Sequence, residues 1–302
     1  MIDLREGVVR AQPALQQRIV QLGLHLDAAF IEQCVGELAL LLLRRASALG
    51  GCPIVGLSGA QGTGKSTLAL LLLDLLCHGF GKRAAVVSLD DYYLSQSERL
   101  TLASQVHPLL VTRGVPGTHA VPELHAALKQ LRVLATGQRC SLLRFDKASD
   151  DRLLEPRVCT GPFDLILFEG WCVGARPESS EALAEPINTL ESSEDPDAKF
   201  RGFVNAQLEG HYAALWRELD VHIYLAAPDM QAVRSFRAQQ ETALRSVSAP
   251  GSRGLMDEST LQRFIQHFER VTLQMLRTAP SYADAVVQLD AARQWRLNIR
   301  SV

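Results

Sequence analysis

Paired cysteines are missing from this chain. The six that occur, Cys34, Cys52, Cys77, Cys140, Cys159 and Cys172, are scattered singly, with no C-x-x-C and no histidine at zinc-ligand spacing. This excludes a disulfide framework or a zinc ribbon, and they read as small buried apolar residues in a reducing compartment. A dominant charge is missing too: 31 Lys+Arg stand against 33 Asp+Glu, and no basic run interleaves with aromatics. Nucleic acid is therefore not an expected partner. The apolar stretch Leu38–Leu43 stops at Arg44-Arg45, far too short to span a bilayer, and the opening residues lack the basic-then-apolar order of a secretory signal. A cytoplasmic protein without a membrane partner is expected. There is no internal repeat and no N-K-x-D base-reading motif, which argues against a GTPase switch.

What is present is a phosphate-binding loop. Gly59-Ala60-Gln61-Gly62-Thr63-Gly64-Lys65-Ser66 fits G-x-x-x-x-G-K-[ST] at every fixed position. It follows the apolar run Ile54–Ser58, and Thr67 opens a strongly helix-forming segment, so the strand-loop-helix context the motif requires is in place. Glycines let successive backbone N–H groups turn onto phosphate oxygens, Lys65 reaches the β/γ-phosphates, and the Ser66 hydroxyl holds Mg²⁺. ATP and Mg²⁺ are the expected ligands.

The wider pattern alternates strand and helix. Residues 1–50 read as an N-terminal helical extension of two helices, closed by Gly50-Gly51, and 51–302 as the nucleotide-binding domain. Beyond the first strand, short apolar runs at 84–89, 164–168, 221–226 and 286–289 predict strands covered on both faces. Helices are predicted over 122–135, 202–218, 228–245 and 257–278. The expected fold is α/β, a doubly wound parallel sheet of P-loop NTPase type with helices on both faces and ligands at the carboxyl ends of the strands. Residues 176–199 break the alternation with seven acidic against two basic residues, and read as a solvated excursion or a lid over the site.

Four further constellations carry chemistry. Ser88-Leu89-Asp90-Asp91-Tyr92-Tyr93 places two carboxylates at a strand end, where one can serve as general base for an acceptor hydroxyl; a helix cap is the plainer alternative. The apolar strand Leu165–Phe168 ends in Glu169, the position of a Mg²⁺-organising carboxylate. Arg113-Gly114-Val115-Pro116-Gly117-Thr118-His119 is an acceptor-binding loop or a structured turn, and the charged stretch 144–152, with Lys147 and Arg152, either receives an anion or is solvated. Arg234 and Arg237 share a helix face and can close over a nucleotide or form surface ion pairs.

In this order, GLSGAQGTGKST, SLDDYYL, RGVPGTH, the FDK…DR segment, LFEGW and VHIYLAAPDMQAVRSFRAQQE resemble the D-glycerate 3-kinase family, and more distantly uridine kinase, phosphoribulokinase and bacterial pantothenate kinase. The resemblance runs from about Pro53 to Gln274. It implies an ATP-dependent kinase that phosphorylates a hydroxyl of a small acid, D-glycerate foremost, with Asp90 as base and Glu169 as the second Mg²⁺-organising acid beside Ser66. Asp91, Tyr93, Arg113, Thr118, His119, Lys147 and Arg152 are then expected on the acceptor side, with Arg113 the first choice for the acceptor carboxylate. Two departures fall in that region. Ala120 stands where the family usually has Asp, and Ser149-Asp150-Asp151-Arg152 replaces a Gly-Arg-Gly-Asp-Arg pattern. Another small-metabolite kinase and a non-catalytic nucleotide-binding switch are the alternatives.

Overall fold

The computed structural model describes residues 3–247 and 256–300. Helix α1 (Leu4–Gln21) and a π-helical turn (Phe30–Gly36) running into α2 (Glu37–Leu49) come first. Strand β1 (Ile54–Gly59), α3 (Lys65–Asp74) and β2 (Ala84–Ser88) follow, then α4 (Gln96–Gln105) and α5 (Val121–Val133). A hairpin excursion contains β3 (Arg139–Leu142), β4 (Phe145–Asp146), β5 (Asp151–Arg152) and β6 (Arg157–Thr160). After β7 (Leu165–Glu169) come α6 (Ser180–Ala184), α7 (Thr189–Glu194), α8 (Lys199–Gln207) and α9 (Ala213–Trp216). The chain closes with β8 (Val221–Ala226), α10 (Met230–Val247), α11 (Glu258–Tyr282), β9 (Ala285–Leu289) and β10 (Trp295–Ile299).

Six strands form one sheet in the order β10-β9-β8-β1-β7-β2. Five run parallel, and β10 returns antiparallel on β9. Because strand side chains alternate between faces, the sheet feeds two cores. Val55, Leu57, Leu165, Leu167, Val221 and Ile223 meet the layer of α1, α2 and α3, while Ile54, Ile166, Phe168 and Tyr224 meet the layer that includes α5, α8, α9 and α11. The first layer needs the N-terminal helices: without Ala11, Leu15, Leu38 and Leu42 the apolar edge of α3 faces water. A bond from Arg18 Nε to Asp74 Oδ2 at 2.8 Å ties α1 to α3.

All five predicted strands are found, and the α/β P-loop fold expected from the alternation is the one observed. Strand β10 and the hairpin strands were not predicted. β10 is an edge strand, WRLNI, whose charged and amide residues break the apolar run that marks buried strands; its pairing is set by the turn in which Asp290 accepts from Gln294 N at 2.8 Å. α11 runs past its expected end at Thr278 to Tyr282, through Pro280, held by the buried Ala279 and Ala283. The acidic stretch 176–199 is exposed over most of its length but is docked. Arg270 meets Glu178 at 3.1 Å and Glu191 at 2.6 Å, and the buried pair Arg201–Asp195 closes at 2.9 Å. Among the described residues no helix is long and apolar enough to cross a membrane.

Candidate active site

The site is assembled at the carboxyl ends of β1, β7 and β2. Register places Glu169 beside Leu57 on one side and Ser88 on the other. The loop between β1 and α3 folds back because its glycines take conformations a side chain resists. Gly59 has φ +150° and Gly62 φ +79°. A Cβ on Gly62 would stand 2.9 Å from the Phe236 backbone, so the loop rests directly on α10. Thr63 turns inward, its hydroxyl donating to the Ala60 carbonyl at 2.8 Å.

Lys65 is buried, and its ammonium donates to the Ala60 carbonyl at 3.1 Å. Burial lowers its pKa, with Glu169 and Asp90 opposing. Ser66, in the first turn of α3, donates to Glu169 Oε1 at 3.1 Å; Ser88 donates to the same oxygen at 2.7 Å. Burial, and then the charge of Asp90, raises the Glu169 carboxyl, while Lys65 and the two serines pull it down. Lys65 and Ser66, Asp90, and Glu169 thus converge from three separate stretches of sequence.

Asp90 sits on a 3₁₀ turn (Leu89–Tyr92) after β2, its N–H bonded to Ser88 Oγ at 3.3 Å. Burial would raise its carboxyl, but Lys147 at 2.6 Å outweighs that, with help from the Tyr93 hydroxyl and Lys65, and holds it below the ordinary 3.8 at about 2. Asp91 lies in the neighbourhood of Arg157, and burial raises it. Tyr93 packs between His119 and Phe145, with ring centroids 5.0 and 5.1 Å away.

The loop 113–119 is a structured turn that also borders the site. Thr118 uses its hydroxyl inside the loop, donating to Val115 O and accepting from Gly114 N, each at 2.8 Å. Arg113 pairs with Asp150 beneath the Phe145 ring. Arg152 donates to the Tyr93 carbonyl at 2.9 Å and meets Glu98 at 3.3 Å. His119 is buried, with Nδ1 at 2.6 Å from the Tyr212 hydroxyl. Ala120, the departure from the family pattern, is the N-cap of α5 and makes no side-chain cap bond; an Asp at this place would cap a helix. On α10, Arg234 meets Glu269 at 2.5 Å and Arg237 meets Glu241 at 2.9 Å.

Three contributors were not anticipated from sequence. Ser88 had a legible signal, a hydroxyl at a strand end two residues before Asp90. Tyr212 and Arg293 had none. Arg293, in the β9–β10 turn, donates to the Gly62 carbonyl at 2.6 Å and lies over the Phe236 ring at 4.3 Å, clamping the phosphate loop from a strand pair far along the chain.

No protein-family model matches the chain. It is 31% identical over 230 residues to the uncharacterized kinase mug58 of Schizosaccharomyces pombe, covering 71% of this chain and 78% of that one. It is 28% identical over 244 residues to the chloroplastic D-glycerate 3-kinase of Arabidopsis thaliana, covering 76% of this chain and 50% of the relative, so it spans half the plant protein's length. Among solved structures, D-glycerate 3-kinase from Cryptococcus neoformans var. grubii superposes with a TM-score of 0.74 at 25% identity, covering 88% of this chain and 99% of that one. With the loop geometry, these likenesses make the chain an ATP-dependent small-molecule kinase, a phosphotransferase with an alcohol group as acceptor. The chain belongs to the D-glycerate 3-kinase family of P-loop kinases.

Proposed function

We propose that this kinase transfers the γ-phosphoryl group of ATP to a hydroxyl of a small organic acid, D-glycerate being the leading acceptor, in the cytosol. The observation that carries the reading is the convergence of Lys65, Ser66, Glu169 and Asp90 at three adjacent strand ends. The names of the plant and fungal relatives support the choice of acid.

The residues fit a triphosphate with Mg²⁺. Burial weakens the charged form of Lys65 and raises the Glu169 carboxyl, and phosphate oxygens and a divalent cation are the charges that would reverse those two shifts. Ser66 and Glu169 are hard oxygen donors suited to Mg²⁺, which when bound neutralises charge on the phosphates. Loop amides from Gly59 to Thr67 and Lys65 hold the phosphates, and Arg234 and Arg237 stand on the helix beside the loop. The acceptor oxygen attacks the γ-phosphorus, the bond to the β–γ bridging oxygen breaks, and Asp90 takes the hydroxyl proton. Lys147 pairs with Asp90 and is 60% exposed, so it is free to turn to an arriving anion; Tyr93 bonds Asp90 and lies against His119, and Arg113, paired with Asp150, is the other acceptor-side cation, whereas Thr118 and Arg152 are taken up by the bonds described above.

The test is ATP consumption by the full chain across small hydroxy acids, nucleosides and sugar phosphates. Turnover dependent on D-glycerate is expected. Turnover with nucleosides alone, or ATP use that needs no acceptor, overturns the reading. Arg113→Ala should raise the acceptor KM more than the ATP KM.

A further inference from the structure

Tyr212 closes the π-helical turn Leu208–Tyr212, fully buried, with its hydroxyl 2.6 Å from His119 Nδ1. The same oxygen accepts the Gly117 N–H at 3.0 Å, and the backbone amide of His119 also faces it. A phenol oxygen so occupied as an acceptor still has one proton to donate, and His119 Nδ1 is the acceptor in reach among the described residues. Nδ1 must then carry the lone pair. The proton of the neutral imidazole sits on Nε2.

That Nε2 is buried and has no hydrogen-bond partner among the described residues. Burial also lowers the ring's pKa from 6.5 to about 4, with Asp90 opposing, so no second proton joins it near neutrality. The ring lies against Tyr93, which in turn bonds Asp90. A buried N–H without an acceptor is destabilising, and a folded protein tolerates it where a ligand atom completes the bond.

We propose that Tyr212 is a positioning residue that holds His119 in the Nε2–H tautomer, so that His119 offers one neutral donor to an oxygen of the acceptor bound beside Asp90. This rests on the kinase reading above and adds a selectivity to it. The acceptor must present a lone-pair oxygen at that point, a carboxylate or hydroxyl, and an ammonium group in its place meets another donor.

The experiment begins with the full chain carrying ¹⁵N-histidine, observed through two-bond ¹H–¹⁵N correlations, with His119→Gln identifying the resonance. A protonated Nε2 and an unprotonated Nδ1 are expected for His119. Tyr212→Phe should mix the tautomers and raise the D-glycerate KM by about tenfold, the loss of one oriented hydrogen bond, with the ATP KM unchanged. His119→Gln, whose amide can donate near the Nε2 position, should retain more activity than His119→Leu, a difference that packing alone does not produce. An Nδ1–H tautomer in the wild-type chain overturns the proposal whatever the activity, as does a Tyr212→Phe chain with unchanged tautomer or unchanged acceptor KM. Failure of the kinase reading shows separately, as absent acceptor turnover with the tautomer signal intact.

Discussion

Replacing Asp90 by Asn removes a charge while keeping the shape of the side chain. The structural cost should be small. Lys147 loses the carboxylate at 2.6 Å, but that lysine is 60% exposed and stays hydrated, and the Asp90 N–H keeps its bond to Ser88. The functional cost should be large. A positioned general base contributes about 10²- to 10⁴-fold, equal to roughly 3–5 kcal/mol of barrier. Steady-state kinetics with ATP and acceptor varied in turn should show kcat falling by that factor with the ATP KM within about twofold, because Asp90 touches neither the loop amides nor Ser66. Turnover equal to wild type refutes a role for Asp90 in proton transfer. Lys147→Met sharpens the test from the other side. Burial pushes the Asp90 carboxyl up, and Lys147 is the main group holding it at about 2. Without the lysine the carboxyl should climb past the ordinary 3.8, moving the acid limb of kcat/KM upward by more than about one pH unit. An unmoved limb refutes the pairing.

Three other outcomes are expected. His119, His222 and His267 are all buried and each is lowered by burial from 6.5 to about 4. Unfolded chains bind these protons below pH 6.5 while folded chains refuse them until about 4, so stability should fall across that window, approaching about 3 kcal/mol per histidine at its lower end. Urea midpoints that stay level from pH 7 to 5 contradict this. Gly62→Ala places a Cβ against the Phe236 backbone at a φ of +79°, and should cost about 1–3 kcal/mol of stability and raise the ATP KM; a neutral substitution, by thermal unfolding and kinetics, disproves the close approach. Arg293→Ala releases the Gly62 carbonyl and should raise the ATP KM several-fold while leaving the acceptor KM alone; the opposite split refutes the clamp.

Much of this molecule is legible along the chain because local chemistry repeats there. The strand-loop-helix around Lys65, the five buried parallel strands and the acids ending β2 and β7 follow from short-range pattern: glycine spacing, apolar runs, a carboxylate where the run stops. The acidic stretch 176–199 shows where such reading ends. Its composition says solvated, and most of it is exposed, yet Arg270 and Arg201, from helices on either side of β8, pin it through Glu178, Glu191 and Asp195. The two Arg270 pairs span 79 and 92 positions, and ion pairing over such separations leaves no periodic trace. The same limit applies to β10, whose polar residues suit an edge and hide it from any apolar window.

The sequence alone therefore determined the phosphate loop, the sheet and the chemical types available at its carboxyl end, since these depend on neighbours within a turn or two. Only the tertiary structure decided which groups meet: Lys147 on Asp90, both serines on Glu169, Tyr212 beneath His119 and Arg293 on the loop carbonyl. The physical reason is that protonation state, tautomer and charge balance depend on burial and partner, and partners are chosen by how the helical layers and the β9–β10 turn pack around the sheet.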